Sequence, residues 1–134
     1  MDLWFVLDDH LAKVRHLIAL PITAETVVQE LLAGPTDAER STSLRSAIAD
    51  SAALDSVAVS GGVATVRLTP TFADIPAADQ MLAIAQLVLT LTDLRGVGRV
   101  GFAIDDTTPP VPLPDGSSST GTVSRDDYAQ LATP

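Results

Sequence analysis

Three pairs of adjacent acidic residues carry the most evident chemical potential in this sequence. They are Asp8 with Asp9, Asp105 with Asp106, and Asp126 with Asp127. Two carboxylates can act as general acid and general base when they converge on one substrate. Adjacent side chains on a strand point to opposite faces, however, and aspartate is frequent in turns and helix caps. We therefore interpret the three pairs as turn and capping residues.

Metal and nucleophile chemistry have little support in the residue types present. The chain has no cysteine and two histidines, with His10 in a predicted turn and His16 on a predicted strand. That placement does not give the i, i+4 helical spacing typical of zinc ligands, so both are interpreted as ordinary surface histidines. The serines at 117–119 have no matched base and no nucleophile elbow surrounds them. The sequence predicts no catalytic residue, no metal site, no cofactor and no enzyme.

One loop remains as a candidate ligand site. Asp105, Asp106, Asp115 and Gly116 could form a crevice for a small ligand such as a sugar. Sugar sites usually include an exposed aromatic ring, and Trp4 and Tyr128 are the large aromatic residues with a polar group. We expect Trp4 to seal the core end of the first strand instead.

Length and charge restrict the classes of partner. The chain has 134 residues, consistent with a single domain over 1–134, and 17 acidic against 8 basic residues give a net charge of −9. This charge disfavours nucleic acid and anionic membrane surfaces. The most apolar run, 81–94, is interrupted by polar residues and is shorter than the roughly 18 residues of a membrane-spanning helix. Residue 1 leads directly into an apolar strand, so we expect an excised domain that lacks the anchor of its full-length protein.

Turn and capping residues divide the first half of the chain. An N-terminal hairpin is predicted over 3–20, turning through the polar residues 8–10. A helix follows over 24–33, with Thr23 as its N-cap and Gly34-Pro35 as its stop. Thr36 and Glu39 then form a predicted capping box, so the string LLAGPTDAER is interpreted as a helix end followed by a helix start.

The second half of the chain predicts an α+β fold. Gly61-Gly62 turns a second hairpin, and a long central helix over 77–94 has one narrow polar stripe containing Asp79, Gln86, Thr90 and Asp93. A strand over 97–104, a short edge strand near Pro112, a flexible loop over 114–123 and a tail helix capped by Ser124 complete the pattern. We expect one small mixed sheet of about four to six strands with the helices 24–33 and 77–94 packed on one face.

Several motifs in this order resemble a known family. LLAGPTDAE, SVAVSGGVATVRLTPTF, AIAQLVLTLTDLRGVGRVGFAID, VPLPDG and VSRDDYAQL together are similar to the GerMN domain, named for sporulation and spore germination proteins. The resemblance covers residues 24–131, with the N-terminal hairpin preceding this core.

The resemblance implies a domain similar to the ring-building motif of secretion and sporulation complexes. It implies an extracytoplasmic, non-catalytic interaction module of a membrane-anchored cell-envelope lipoprotein, and seven arginines to one lysine fit an actinobacterial source. The expected partner is an envelope protein or a second copy of the domain, with no direct membrane insertion. The alternative is a wall component, either a wall sugar or a peptidoglycan fragment, bound in the crevice of Asp105, Asp106, Asp115 and Gly116.

Overall fold

Helices and strands follow one another in the order that the apolar periodicity predicts, which confirms the α+β class. The computed structural model describes residues 2–7, 10–16, 23–48, 54–94, 96–104, 107–114, 116–119 and 121–131. The strands in these ranges are β1 (Asp2–Leu7), β2 (His10–Arg15), β3 (Leu54–Ser60), β4 (Val63–Leu68), β5 (Arg99–Ile104), β6 (Val111–Pro112) and β7 (Ser118–Ser119). The helices are α1 (Ala24–Ala33), α2 (Asp37–Arg40), α3 (Ala77–Leu91) and α4 (Arg125–Tyr128), with 3-10 turns at Pro70–Asp74 and Ala129–Leu131.

The described strands form three small sheets. β1 pairs antiparallel with β2, β3-β4-β5 form a mixed sheet, and β6 pairs antiparallel with β7. β4 and β5 are parallel, and α3 provides the crossover that parallel neighbours require. The sequence predicts one mixed sheet, whereas the structure divides the strands because β1 meets α3, not another strand, along its outer edge.

The turn between β3 and β4 confirms the predicted Gly-Gly hairpin. Gly61 and Gly62 have φ of 59° and 82°, and Ser60 faces Val63 across the turn. Positive φ at both central residues matches the twist of a two-residue hairpin, and glycine adopts it without steric cost. The turn fixes the register that places Ala64 and Val66 in the core.

The caps of α1 and α2 confirm that LLAGPTDAER ends one helix and begins another. α1 begins at Thr23, whose amide donates to Thr26 Oγ1 at 2.9 Å, and ends at Gly34 with φ of 83°. The Thr36 amide then donates to Glu39 Oε1 at 2.8 Å, and the Glu39 amide donates to Thr36 Oγ1 at 3.3 Å. These reciprocal bonds satisfy amides at the start of α2 that have no intrahelical partner.

α3 is the centre of the core. Every residue from 82 to 91 is buried, and the 77–94 segment continues past the helix proper as a turn. Its apolar side chains belong to one core cluster that also contains residues of β1, β4 and β5, among them Leu3, Phe5, Val66, Val100 and Phe102. Among the described residues, no helix has both the length and the apolarity that crossing a bilayer demands.

The polar stripe of α3 binds the backbone of β1. Gln86 Nε2 donates to the Trp4 carbonyl at 3.1 Å, and Thr90 Oγ1 accepts from the Trp4 amide at 3.1 Å. Asp93 accepts from the Trp4 indole at 3.3 Å, and Gln86 Oε1 accepts from the Ala47 amide at 2.6 Å. Gln86 and Thr90 are fully buried, so these bonds replace solvation that both sides have lost.

The backbone of Val6, further along the same edge of β1, pairs with a different segment. The Val6 amide donates to the Arg45 carbonyl at 2.7 Å, and the Arg45 amide donates to the Val6 carbonyl at 2.9 Å. The Arg45 guanidinium also forms an ion pair with Asp79, the first acid of the α3 stripe, with 3.2 Å between Nη2 and Oδ1. The outer edge of β1 is therefore closed at Trp4 and at Val6.

His16 differs from the sequence interpretation of a surface histidine. It is 7% exposed and its ring lies 5.6 Å from that of Phe5. Its Nδ1 lies 3.1 Å from Glu30 Oε1, and its Nε2 lies 2.8 Å from Glu39 Oε1. The interpretation was wrong because the α1–α2 junction folds over this end of β2 and brings two carboxylates to the ring.

Gln86→Leu tests the contact between α3 and β1. Leucine keeps a similar volume but leaves the Trp4 carbonyl and the Ala47 amide without a partner in a buried position. We expect the free energy of unfolding in urea to fall by about 2–4 kcal/mol, since each orphaned group costs on the order of 1–3 kcal/mol. Gln29→Leu on the exposed face of α1 is the matched control, with an expected change within about 0.5 kcal/mol. Equal destabilisation by both substitutions would contradict the assigned role of Gln86.

Glu39→Gln tests the charge of the α2 cap. Burial raises the pKa of Glu39, but the Thr36 amide bond, the His16 bond and the His16 charge outweigh it, so the pKa is lowered from its ordinary value of 4.5. A carboxylate with a lowered pKa stabilises the fold above its unfolded value, and this stabilisation is lost as pH falls through the folded value. We expect the wild type to exceed Glu39→Gln by about 1 kcal/mol at pH 7, and the difference to shrink below pH 4.5.

The control for this titration is Glu25→Gln, which removes an exposed acid from the first turn of α1. Unfolding should be followed by urea denaturation at a series of pH values between neutral and acidic. A wild-type minus Glu39→Gln difference that stays constant across pH 4.5 would argue against a charged, hydrogen-bonded Glu39.

Candidate functional site

The acid pair in the described residues has a capping role. Asp126 and Asp127 lie in the first turn of α4, and the Ser124 amide donates to Asp127 Oδ2 at 2.8 Å. This confirms the predicted cap and commits Asp127 to the helix start. The pairs Asp8 with Asp9 and Asp105 with Asp106 lie outside the described residues.

The candidate ligand loop is described only in part. Asp105, Asp106 and Asp115 lie outside the described residues, so the crevice that they could form stays a prediction. Gly116 is described, has φ of 92° and donates its amide to the Leu113 carbonyl at 3.1 Å. Beside it, Ser118 and Ser119 form β7, within the segment for which composition predicts a flexible loop.

Neither candidate aromatic platform is exposed. Trp4 is 6% exposed and lies in the core, as the sequence predicts. Tyr128 is fully buried and donates its hydroxyl to the Pro112 carbonyl at 2.9 Å. Burial and the nearby Asp127 charge raise the pKa of the Tyr128 phenol, so it remains a neutral donor. Both rings therefore serve packing and are not open to a sugar.

The described histidine and acidic side chains do not converge on one metal position. No group of three or more such residues with metal-binding geometry occurs in the part of the chain that the structure describes. The closest approach is at His16, where Glu30 and Glu39 contact opposite ring nitrogens. Ligands on opposite sides of an imidazole cannot share an ion with each other. The cluster is a structural contact between β2 and the α1–α2 junction.

The three-stranded sheet has one edge that other segments bridge and one edge that has no strand partner among the described residues. On the β5 side, Val100 exchanges backbone bonds of 2.8 Å with Val123, and Ile104 exchanges bonds of 2.9 Å with Thr107. On the other side, β3 makes backbone bonds only with β4 among the described residues. Within the described residues, the outer backbone groups of β3 from Ser56 to Ser60 have no strand partner, whereas the register is irregular between Leu54 and Ser56. An unpaired stretch of this kind is the feature that accepts an added strand.

The side chains of β3 leave this edge accessible. Asp55, Ser56, Ala58, Val59 and Ser60 are all exposed, and none is bulky enough to cover the backbone. Val59 is the one large apolar side chain of the described residues that is exposed, at 45%. It lines a shallow cavity with Thr23, at the start of α1, and Val97.

The outer face of the same sheet carries small side chains. Thr65 lies between Ala58 of β3 and Gly101 of β5, and cross-strand partners of this kind share a face. The next row holds Arg67 beside Ala103. The buried residues Ala64 and Val66 point to the opposite face, where α3 packs. Together, the open β3 edge and this outer face form the candidate docking surface.

Sequence reasoning missed this surface because strand order is a tertiary property. The pattern of β3 identifies a strand but does not say which neighbours it has. The exposure of Val59 marks the sheet edge, since a residue on the apolar face of a central strand would be covered, but this exposure is visible only in the structure.

Comparison with known proteins agrees with this architecture. A family model described as sporulation and spore germination (Germane) matches residues 5–109. No curated protein matches the chain. Two solved structures from Bacillus subtilis are similar to it, both from the sporulation protein GerM.

The two structures differ in how much of their own length is covered. The tandem GerMN domains give a TM-score of 0.64 at 15% identity, covering 94% of this chain and 46% of that one. The first GerMN domain alone gives a TM-score of 0.63 at 18% identity, covering 94% of this chain and 97% of that one. This chain thus spans less than half of the tandem structure, and at these identities the likeness concerns the fold.

The family model covers most of the chain and the solved neighbours share its fold, which confirms the resemblance to GerMN domains inferred from the sequence. The chain belongs to the sporulation and spore germination family.

Proposed function

We propose that this domain is a non-catalytic association module that pairs with a second GerMN-type domain through the edge of β3. The observation that carries the proposal is the difference between two strand edges. β1 is closed by α3 side chains and by Arg45, whereas β3 has no partner beyond β4 among the described residues. An edge strand with unpaired backbone groups can pair with another chain, which makes the β3 edge a candidate interface.

The geometry of β3 favours a second copy of this chain as the occupant. Two β3 strands related by a two-fold axis at Val57 would place Ser56 opposite Ala58 of the other copy, within the part of β3 that follows the register irregularity between Leu54 and Ser56. Like charges would not face each other, and the exposed Val59 would become covered. Such a pairing uses the same surface on both copies, as closed dimers require.

The described acid, base and nucleophile candidates have structural roles, which supports a non-catalytic module. Asp127 caps α4, His16 contacts two glutamates, and Tyr128 is a buried donor. Each of these groups contributes to stability at its place in the fold. Catalysis would need at least one of them to be free toward a substrate.

The biological setting that we propose is the cell envelope. The family description refers to sporulation and spore germination, and one structural neighbour contains two GerMN domains in a single chain. Domains of one type placed in tandem are suited to contacts between like domains. We propose an extracytoplasmic location in a membrane-anchored lipoprotein, with an assembly role comparable to that of ring-building motifs and a protein of the envelope as the alternative occupant.

Ala58→Lys tests the β3 edge. Lysine on an edge strand disfavours strand addition because a charge must lose water in the new interface. We expect the association of the 134-residue chain to weaken by at least about tenfold, corresponding to about 1.4 kcal/mol. Sedimentation velocity over a concentration series measures this, and pull-down from envelope extracts detects a different occupant.

Ala38→Lys is the matched control, since it adds the same charge at an exposed alanine of α2. Circular dichroism should show that both variants fold. The proposal is overturned if the wild type stays monomeric at the highest concentration and captures no envelope protein, or if the two lysine variants associate equally.

A further inference from the structure

A cavity of about 180 Å³ lies where the parallel strands β4 and β5 end. Leu68 and Ile104 are the last residues of these strands, and both line the cavity. Ile84 of α3, Phe102 of β5 and Phe72 of the 3-10 turn also line it. In sheets with parallel strands and a crossover helix, ligands bind beyond the carboxyl ends of the strands. The position of this cavity is therefore one at which binding sites occur.

The lining offers hydrogen-bond acceptors but few donors. Pro109, Pro110 and Pro112 form one wall, and proline nitrogens carry no hydrogen. Gln80 is the polar side chain of the lining, and its Nε2 donates to the Ile75 carbonyl at 2.7 Å and to the Ala73 carbonyl at 3.3 Å. Its amide oxygen is the side-chain acceptor of the described lining that remains for a ligand.

Size and polarity together define the class of ligand. Apolar cavities of roughly 150 Å³ bind benzene, so about 180 Å³ accommodates one six-membered ring with a small substituent. We propose that this cavity binds a neutral, ring-sized apolar group that carries one hydrogen-bond donor directed at Gln80 Oε1. The group is either a small molecule or the terminal ring of a larger ligand, and the shared chemistry is that of a phenol.

Charge selects against anions at this cavity. A carboxylate or phosphate would find no amide donor on the proline wall, and no charged residue is part of the described lining. The chain as a whole carries a net charge of −9, which also repels anions. Sugars are disfavoured too, since their several hydroxyls would lose hydration without gaining partners. The cavity is separate from the β3 edge, so its ligand does not depend on the proposed association.

Phenol is the probe that tests this site in the 134-residue chain. Methyl-labelled protein should be titrated with phenol and followed by carbon–proton correlation NMR. We expect saturable shifts at the methyl groups of Leu68, Ile84, Ile104 and Val111, with a dissociation constant of about 1 mM, as is typical of so small a ligand. Toluene, which lacks the donor, should bind the same methyl groups about threefold to tenfold more weakly. Benzoate and N-acetylglucosamine should leave these methyl groups unshifted.

Two variants assign the binding to the cavity. Ala73→Phe places a ring at the exposed rim and should weaken phenol binding at least tenfold, while Ala38→Phe, at an exposed alanine of α2, should leave it unchanged. Gln80→Met removes the acceptor and should equalise the affinities for phenol and toluene. The ratio of phenol affinity to toluene affinity can be measured even if Gln80→Met is less stable than the wild type.

Three results would overturn the proposal. They are phenol shifts scattered over the surface without saturation, benzoate shifts at the same methyl groups as phenol, and equal phenol affinity in Ala73→Phe and Ala38→Phe. Selective phenol binding that Ala73→Phe abolishes would establish the site.

Discussion

The hydrogen bonds between the polar stripe of α3 and the backbone of β1 are the constraint on which the fold depends. α3 is buried over 82–91, and an apolar helix in that position could rotate or slide among nearly equivalent packings. Gln86 and Thr90 remove this freedom because each is fully buried and each needs the Trp4 backbone as its partner. A rotation of the helix would leave a buried amide, a buried carbonyl and two side chains unsatisfied at once. The polar stripe thereby selects one packing among those that the apolar residues allow.

The same bonds explain how the domain treats its strand edges. β1 would be an exposed edge if α3 did not supply a side-chain acceptor and donor at Trp4 and if Arg45 did not pair with Val6. β5 is bridged by Val123 and Thr107. The β1 edge is thus covered by α3 side chains and by the Arg45 backbone, and the β5 edge by backbone bridges. In the described residues, β3 has no contact of these three kinds along its outer edge. Unpaired edges can pair with another chain, and this is the physical basis of the association proposed for β3.

Local features were predictable from the sequence and tertiary ones were not. Gly61-Gly62, Thr23, and Thr36 with Glu39 act within three or four residues, so the turn and the caps follow from residue type and spacing alone. The burial of His16 depends on Glu30 and Glu39, which lie 14 and 23 positions away, and no local pattern encodes that approach. The stripe on α3 was visible as a pattern, but its partner, the backbone of β1, is 86 residues distant at Thr90. The β3 edge depends on strand order, and the cavity depends on where the segment with Pro109, Pro110 and Pro112 lies. Neither feature can be predicted from local sequence patterns.

α3 and β4 connect the two proposed sites, and this connection limits what one site does to the other. β4 pairs with β3 along the open edge and ends at Leu68 in the cavity wall, while Gln80 and Gln86 lie on the same helix. A ligand in the cavity stabilises the folded chain by mass action, and this includes β4, the strand that pairs with β3. It changes the affinity of the β3 edge only if the domain has two arrangements that the ligand distinguishes. The bonds at Trp4 hold α3 in one arrangement, and the Gly61-Gly62 turn holds β3 in one register on β4. We therefore expect the cavity and the β3 edge to bind their ligands independently, although α3 and the β3-β4-β5 sheet support both sites.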